Sequence, residues 1–105
     1  MRVAILGNGG FGTSMAVLLS RAGHACSLWG HDAVYTAAIA ATRRNPRYLD
    51  GVVLPPAVTV GCDGKAALAG SDLVLVAVPT QHVRSVVAGL AVHMPRAVPV
   101  VSLAK

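Results

Sequence analysis

A glycine-rich stretch at positions 7–12, GNGGFG, constrains the fold of this chain more than any other feature. It follows the aliphatic run 2–6 and opens residues 11–22, in which apolar side chains recur at helical spacing. A second aliphatic run at 25–29 comes directly after that predicted helix. The first thirty residues therefore predict two parallel strands joined by a helix in a right-handed βαβ unit.

The rest of the chain continues this alternation of helix and strand. We expect Asp32 to cap a helix that runs to about Arg43 and ends because of Pro46, with about a dozen irregular residues after it. The later predicted strands are 58–60, 73–78 and 98–102, and the later helices are 63–69 and 83–94. Strands that are aliphatic throughout are buried on both faces. The prediction is an α/β fold, a doubly wound, Rossmann-like parallel sheet of about five strands that lacks its last strand.

Composition excludes several classes of protein. With 105 residues, of which 54% are hydrophobic and 12% charged, the chain is predicted to be one ordered domain. Its longest apolar run, 73–78, is far shorter than the about 20 residues of a membrane span. No signal-peptide pattern precedes the glycines, so we expect a cytoplasmic protein. Cys26 and Cys62 lie on apolar segments without metal-ligand spacing, and we expect two reduced core thiols and no metal site.

The formal charge of +5 raises the question of a nucleic-acid partner. Apart from Arg43, Arg44 and Arg47, however, the basic residues are scattered along the chain. They are not interleaved with aromatic side chains on which bases could stack. We therefore expect no nucleic-acid partner, and an anionic small molecule is the simpler explanation.

The glycine-rich stretch matches the pattern GxGxxG in the setting where that pattern binds a dinucleotide. Gly7 would make the turn, Gly9 would let the backbone approach a pyrophosphate, and Gly12 would let helix and strand pack closely. The start of the helix would offer unpaired N–H groups and a partial positive charge. We predict bound NAD or NADP, the alternative being a glycine turn without a ligand.

The second predicted strand ends at Gly30-His31-Asp32. Dinucleotide-binding sites contact the ribose of the cofactor at this position. Asp32 could accept hydrogen bonds from the ribose hydroxyls of NAD, or it could serve only as the cap of the next helix. His31, with Arg43 and Arg44 nearby, could instead favour the 2′-phosphate of NADP. The sequence leaves both alternatives open.

Several longer segments carry a more specific resemblance. They are GNGGFGTSMAVLLSRAGH, LWGHD, NPRYLDGVVLP, SDLVLVAVPTQHVRSVV and VSLAK, in this order. Together they resemble the bacterial type of NAD(P)-dependent glycerol-3-phosphate dehydrogenase over essentially the whole chain. That family usually has serine and tryptophan at the positions of Gly10 and Phe11, and commonly arginine at that of His31. These departures affect the cofactor preference rather than the fold.

The motif and the resemblance together give a set of expected site residues. The expected cofactor-binding residues are Gly7, Asn8, Gly9, Gly10, Phe11, Gly12, His31, Asp32, Tyr48, His82 and Lys105. By resemblance, Lys105 also reaches the substrate as a catalytic residue, at the sheet edge where an ammonium can hold the reacting oxygen. A solvated lysine and a helix-start histidine are the simpler interpretations of Lys105 and His82.

The resemblance also implies an activity for the full-length protein. The family interconverts dihydroxyacetone phosphate and sn-glycerol 3-phosphate with NAD(P)H, in the synthesis of phospholipid precursors. Residues 1–105 would be its N-terminal dinucleotide-binding domain, inactive without the helical substrate domain, and the full-length enzyme could be a homodimer. The alternatives are another two-domain dehydrogenase, for a hydroxy acid or a sugar nucleotide, and a non-catalytic nucleotide-sensing module.

Overall fold

A computed structural model of the chain describes residues 1–47 and 49–103. In chain order its elements are β1 (Arg2–Leu6), α1 (Gly10–Arg21), β2 (Ala25–Trp29), α2 (Ala33–Thr42), β3 (Arg44–Asn45), β4 (Leu49–Val53), β5 (Val58–Gly61), α3 (Gly64–Leu68), β6 (Leu73–Val76), α4 (Thr80–Leu90) and β7 (Val100–Ser102). A short 3₁₀ turn at Ala91–His93 extends α4. The predicted alternation of strands and helices is confirmed.

Five of the strands form a parallel sheet in the order β5-β2-β1-β6-β7. The predicted doubly wound, Rossmann-like fold is therefore confirmed. The order of strands reverses at β1, whose neighbours are β2 on one side and β6 on the other. In open α/β sheets a crevice forms at the carboxyl ends of the strands at such a reversal, and ligands bind there.

Helices cover both faces of the sheet at its centre, which explains why β1 and β6 are almost entirely apolar. The expected burial on both faces is wrong for β7, an edge strand that is exposed along its length. Val3 and Ile5 of β1 belong to a core cluster that α1 and α2 complete, whereas Ala4 and Leu6 belong to a second cluster completed by α3 and α4. Successive side chains of a strand point to opposite faces, so both sets must be apolar. The sheet thereby holds the carboxyl ends of β1, β2 and β6 in fixed positions.

The segment after α2 differs from the prediction. The helix ends at Thr42, because Arg43 adopts a left-handed conformation with φ of 61°, three residues before Pro46. The guanidinium of Arg43 then donates hydrogen bonds to the carbonyl oxygens of Pro55 (2.7 Å) and Val58 (2.5 Å). The supposed irregular segment also contains a second, antiparallel sheet of β3 and β4. Pro46 is therefore not what ends α2.

Two further findings concern the described part of the chain. None of its helices has the length and the apolar composition that a membrane crossing requires. Both cysteines are free thiols; Cys26 is buried in the core as predicted, whereas the predicted core position is wrong for Cys62, which is exposed just after β5.

Candidate functional site

The glycine turn begins at a position whose backbone conformation favours glycine. Gly7 follows β1 with φ of +122°, a conformation that side chains disfavour. Its N–H donates to the carbonyl oxygen of Trp29 at 2.8 Å, which ties the turn to the end of β2. A Cβ at this position would lie 2.7 Å from the carbonyl oxygen of Ala77, just after β6. The turn therefore fits tightly between the ends of three neighbouring strands.

Gly9 and Gly12 differ in what surrounds them. A Cβ at Gly12 would overlap the carbonyl oxygen of Gly7, in agreement with the predicted close packing of α1 on the turn. A Cβ at Gly9 would meet nothing within 4 Å. The backbone at Gly9 is thus open to a ligand, whereas the backbone at Gly12 is packed against protein.

The start of α1 offers unpaired hydrogen-bond donors. Gly9 is the N-cap residue, no side chain caps the helix, and its first turn carries no acidic residue. The N–H groups of Gly9, Gly10 and Phe11 have no acceptor within residues 1–47 and 49–103. Amides of this kind, at the positive end of a twelve-residue helix, are suited to hydrogen-bond an anion such as a phosphate group.

A cleft of about 890 Å³ opens beside this turn. It is lined by Gly7, Asn8, Gly9, Gly10, Phe11, Trp29, His31, Ala77, Val78, Pro79, His82, Ser85, Val86, Gly89, Leu90 and Leu103. These residues come from the turn, from the ends of β2, β6 and β7, and from α4. The volume falls in the range of small-molecule and cofactor sites.

Four aromatic or imidazole side chains line the cleft, and three of them, Phe11, Trp29 and His31, lie on the side of the turn and of β2. Phe11 is 52% exposed at the start of α1, although it is a large apolar side chain. Trp29 is buried, and its indole N–H donates to the carbonyl oxygen of Cys62 at 3.0 Å, which fixes the ring as part of the cleft wall. His31 is exposed on the same wall, so a flat ring and a ribose would both find surfaces here.

The structure brings most of the predicted site residues together but not all of them. The turn from Gly7 to Phe11, together with His31 and His82, lines the cleft, whereas Gly12 lies behind the turn. Asp32 does not line the cleft, and its carboxylate caps α2 by accepting the N–H of Tyr35 at 3.0 Å. Tyr48 and Lys105, which were predicted from the resemblance, lie outside the described residues.

The suggested arginine pair beside His31 is only partly possible. Arg43 follows the end of α2 opposite to His31, donates to the backbone carbonyls of Pro55 and Val58, and does not line the cleft, so this part of the prediction is wrong. Arg44 is exposed in β3 and is also absent from the cleft wall. Arg47, in contrast, stacks its guanidinium 4.1 Å from the centre of the Tyr35 ring, at the first turn of α2.

Sequence analysis missed a group of buried polar side chains behind the turn. Asn45, Thr13 and Thr36 are each at most 1% exposed, and they are hydrogen-bonded to one another or to Asn8. In the sequence, Asn45 precedes Pro46 and looks like an ordinary turn residue. Nothing in its spacing indicates that β3 carries it under the glycine turn.

Comparison with known proteins places the chain in a family. The sequence model for the NAD-dependent glycerol-3-phosphate dehydrogenase N-terminus matches residues 2–105. The glycerol-3-phosphate dehydrogenase [NAD(P)+] of Chelativorans sp. (strain BNC1) is 44% identical over 103 residues, which are 98% of this chain and 32% of that protein. The protein of the same name from Bradyrhizobium diazoefficiens is also 44% identical, over 98% of this chain and 31% of that protein.

Solved structures agree with the sequence comparison. The glycerol-3-phosphate dehydrogenase of Coxiella burnetii superposes with a TM-score of 0.94 at 29% identity, covering 99% of this chain and 32% of that one. A ketopantoate reductase of Ralstonia eutropha superposes with a TM-score of 0.80, also at 29% identity, covering 100% of this chain and 34% of that one. The chain spans about a third of the length of the curated relatives it matches. It belongs to the family of the NAD-dependent glycerol-3-phosphate dehydrogenase N-terminus.

Proposed function

We propose that this chain is the N-terminal, dinucleotide-binding domain of a longer NAD(P)-dependent glycerol-3-phosphate dehydrogenase. The observation that carries the proposal is the glycine turn, whose unpaired amides border a cleft at the reversal point of the sheet. The full-length enzyme would interconvert dihydroxyacetone phosphate and sn-glycerol 3-phosphate. It would act in the cytoplasm as a homodimer without a nucleic-acid partner, and would supply precursors for phospholipid synthesis.

The residues present fit the phosphates of NAD(P). Gly9 leaves open space where a pyrophosphate would approach, and the amides of Gly9, Gly10 and Phe11 are free to donate to its oxygens. The exposed ring of Phe11 gives the bound dinucleotide an apolar surface and keeps water from the phosphates. When bound, NAD(P)H supplies the hydride for the reaction.

The protein would contact the adenosine ribose of the cofactor at the end of β2. His31 borders the cleft there, and a protonated imidazole would favour the 2′-phosphate of NADP. The carboxylate of Asp32 accepts the N–H of Tyr35 through Oδ1, and Asp32 does not line the cleft, so it is placed as a helix cap rather than as a ribose contact. We propose that His31, rather than Asp32, discriminates between the two cofactors.

The reacting end of the cofactor would lie near the carboxyl ends of β6 and β7. His82 and Leu103 border the cleft on that side, and Lys105 follows two residues after Leu103. We propose that the ammonium of Lys105 holds the substrate oxygen that gains negative charge during hydride transfer. Tyr48 is proposed as a further cofactor contact.

Fluorescence titration of the chain with NADH and NADPH tests dinucleotide binding. Gly9→Val places a branched side chain in the open space at the turn and should weaken binding at least about tenfold while the chain remains folded. Gly61→Val is the matched control, because a Cβ at Gly61 also meets nothing within 4 Å and this residue lies outside the cleft. Equal affinities for Gly9→Val and the parent chain would refute the assignment of the turn.

An enzymatic test needs a protein of full family length that carries this chain. It should oxidise NADH or NADPH only when dihydroxyacetone phosphate is added. Turnover with a hydroxy acid precursor or a sugar nucleotide, and none with dihydroxyacetone phosphate, would contradict the proposed substrate.

A further inference from the structure

We propose that Asn45, which lies outside the glycine turn, is a positioning residue that sets the direction of the phosphate-binding amides. This inference rests on the proposed function, because it concerns how the same turn holds a pyrophosphate. Asn45 acts through the backbone carbonyl of Asn8 and does not line the cleft itself. Its neighbour in this role is Thr13 of α1.

The side chain of Asn45 is buried, and both its amide nitrogen and its amide oxygen are hydrogen-bonded within the protein. It is 1% exposed, and its amide nitrogen donates to the carbonyl oxygen of Asn8 and to the hydroxyl of Thr13, both at 2.8 Å. Its amide oxygen accepts the hydroxyl proton of Tyr35 in α2. A buried amide with so many partners can take only one orientation, so β3, α1 and α2 together fix its position.

The carbonyl oxygen of Asn8 receives two hydrogen bonds from this group. One comes from Asn45, and the second comes from the hydroxyl of Thr13 at 3.2 Å. Both acceptor positions of the oxygen are therefore used. In a planar trans peptide the C=O and the following N–H point in opposite directions. Holding the Asn8 carbonyl toward Asn45 turns the N–H of Gly9 to the opposite side, away from the buried polar group.

The side chain of Asn8 is held as firmly as its carbonyl. Its amide nitrogen donates to the hydroxyl of Thr36 at 3.0 Å, and Thr36 is completely buried in α2. Position 30 must remain glycine for this contact, because a Cβ there would overlap both the Asn8 amide and the Thr36 hydroxyl. Asn8 is thus anchored at both its backbone and its side chain, which leaves the Asn8–Gly9 peptide little freedom to rotate.

This anchoring matters for a phosphate site because the glycines on either side have broad conformational freedom. A turn of Gly7, Gly9 and Gly10 would populate many backbone conformations if nothing held the peptide between them. Amides that are already directed at the ligand do not lose that freedom on binding, so binding is tighter. Asn45 and Thr13 would therefore contribute to affinity without touching the dinucleotide.

Thr13→Val removes the hydroxyl that donates to the Asn8 carbonyl and accepts from the Asn45 amide, with little change in side-chain shape. It should weaken the binding of NADH and of inorganic pyrophosphate roughly fivefold to tenfold, since a net hydrogen bond corresponds to about that factor. Thr13→Ser keeps the hydroxyl and should restore the affinity. Asn45→Ala should have a larger effect than Thr13→Val, because it removes three hydrogen bonds, those with Asn8, Thr13 and Tyr35.

Ser71→Ala is the control for a merely structural role. Ser71 is 6% exposed, and its hydroxyl donates to the carbonyl of Leu68 at 2.9 Å, outside the cleft wall. Thermal melts identify variants that lose stability, and a variant that does not fold is excluded from the affinity comparison. Amide proton–nitrogen NMR spectra follow the signals of Gly9 and Gly10 while inorganic pyrophosphate is added to each folded variant.

The inference is supported if Thr13→Val alters the Gly9 amide signal and weakens binding, Thr13→Ser restores both, and Ser71→Ala changes neither. It is overturned if Thr13→Val binds NADH and pyrophosphate as the parent chain does. It is also overturned if affinity follows the melting temperature alone across all variants. Failure of the parent chain to bind any dinucleotide would refute the proposed function itself, a result distinct from the others.

Discussion

The carbonyl oxygen of Gly7 occupies the space that a side chain at Gly12 would need. This contact joins the end of β1 to the first turn of α1, so the turn, the strand and the helix form one rigid unit. Within the described residues, α1 begins at this contact without a capping side chain. Its consequences for stability and for binding can be separated by substitution.

Gly12→Ala should destabilise the chain by about 1–3 kcal/mol, because the new methyl group overlaps backbone and α1 must move away from β1. Urea unfolding, followed by circular dichroism, measures this loss. Gly61→Ala should change the free energy of unfolding much less, since its Cβ would enter open space. A Gly12→Ala chain as stable as the parent would show that the turn adapts more easily than its packing suggests.

Gly89→Ala should have opposite effects on stability and on binding. Gly89 lies in α4, where glycine costs about 1 kcal/mol relative to alanine, and a Cβ there would meet nothing within 4 Å. The substitution should therefore raise the free energy of unfolding by roughly 0.5–1 kcal/mol. Gly89 also lines the cleft, so the added methyl group narrows it and should weaken dinucleotide binding. Urea unfolding and NADH titration of the same variant measure both effects.

Ala88→Gly is the companion variant for this comparison. Ala88 neighbours Gly89 in α4 but does not line the cleft, so this variant should lose stability and keep its affinity for NADH. A Gly89→Ala chain that gains stability with unchanged affinity would remove Gly89 from the site.

The sequence predicted the centre of the sheet well because β1 and β6 are buried on both faces, whereas the edge strand β7 is exposed although its residues are mostly aliphatic. An uninterrupted aliphatic run such as 73–78 is a strong local signal, and the strand found, Leu73–Val76, lies within it. The glycine turn was predictable for a similar reason, since Gly7 and Gly12 are required by local geometry. Local patterns succeed where the structure depends on neighbours in the sequence.

The β3–β4 segment was not predictable because it depends on distant contacts. Arg43 leaves the helical conformation while its guanidinium binds carbonyls at Pro55 and Val58, more than ten residues away. Asn45 is buried only because Asn8, Thr13 and Tyr35 meet it from three other elements. Neither arrangement can be predicted from periodicity or from dipeptides in the sequence. Both depend on contacts between residues that are far apart in the chain.

The two cysteines should differ strongly in reactivity. Burial raises the pKa of the Cys26 thiol, and the nearby N-terminal ammonium only partly opposes that shift. Iodoacetamide should therefore modify the exposed Cys62 in the folded chain and reach Cys26 only when the chain unfolds. Mass spectrometry of the labelled chain, with and without urea, measures this. Rapid labelling of Cys26 without urea would contradict its place in the core.

The same shift predicts a dependence of stability on pH. The folded chain keeps the Cys26 proton at pH values where the unfolded chain loses it, because the folded-state pKa is the higher one. The contribution of this thiol is fully present below the unfolded-state pKa and is lost as the pH rises through the folded-state pKa. Urea unfolding of the parent chain should show this loss of stability in alkaline solution, and Cys26→Ala should show less of it.

His31 should contribute to the choice between the two cofactors. Its exposed imidazole borders the cleft at the end of β2 and can donate a hydrogen bond to the additional phosphate of NADP. The ratio of NADPH to NADH affinity should therefore be lower in His31→Ala than in the parent chain. Titrations of both chains with both cofactors measure this ratio. An unchanged ratio in His31→Ala would assign the cofactor preference to another group.

Substitutions of Lys105 separate cofactor binding from catalysis. The experiment requires a full-length enzyme that contains this chain. If the ammonium of Lys105 holds the substrate oxygen as it gains charge, Lys105→Ala removes an interaction that is stronger in the transition state than in the ground state. The turnover number should fall by about 100-fold or more, while the affinity for NADH changes much less. Lys105→Arg should restore little activity, because a planar guanidinium directs its charge differently from an ammonium. Steady-state kinetics of both variants, beside NADH titration, measure the two effects separately. Normal turnover in Lys105→Ala would refute the catalytic role, and loss of NADH binding alone would instead assign Lys105 to the cofactor.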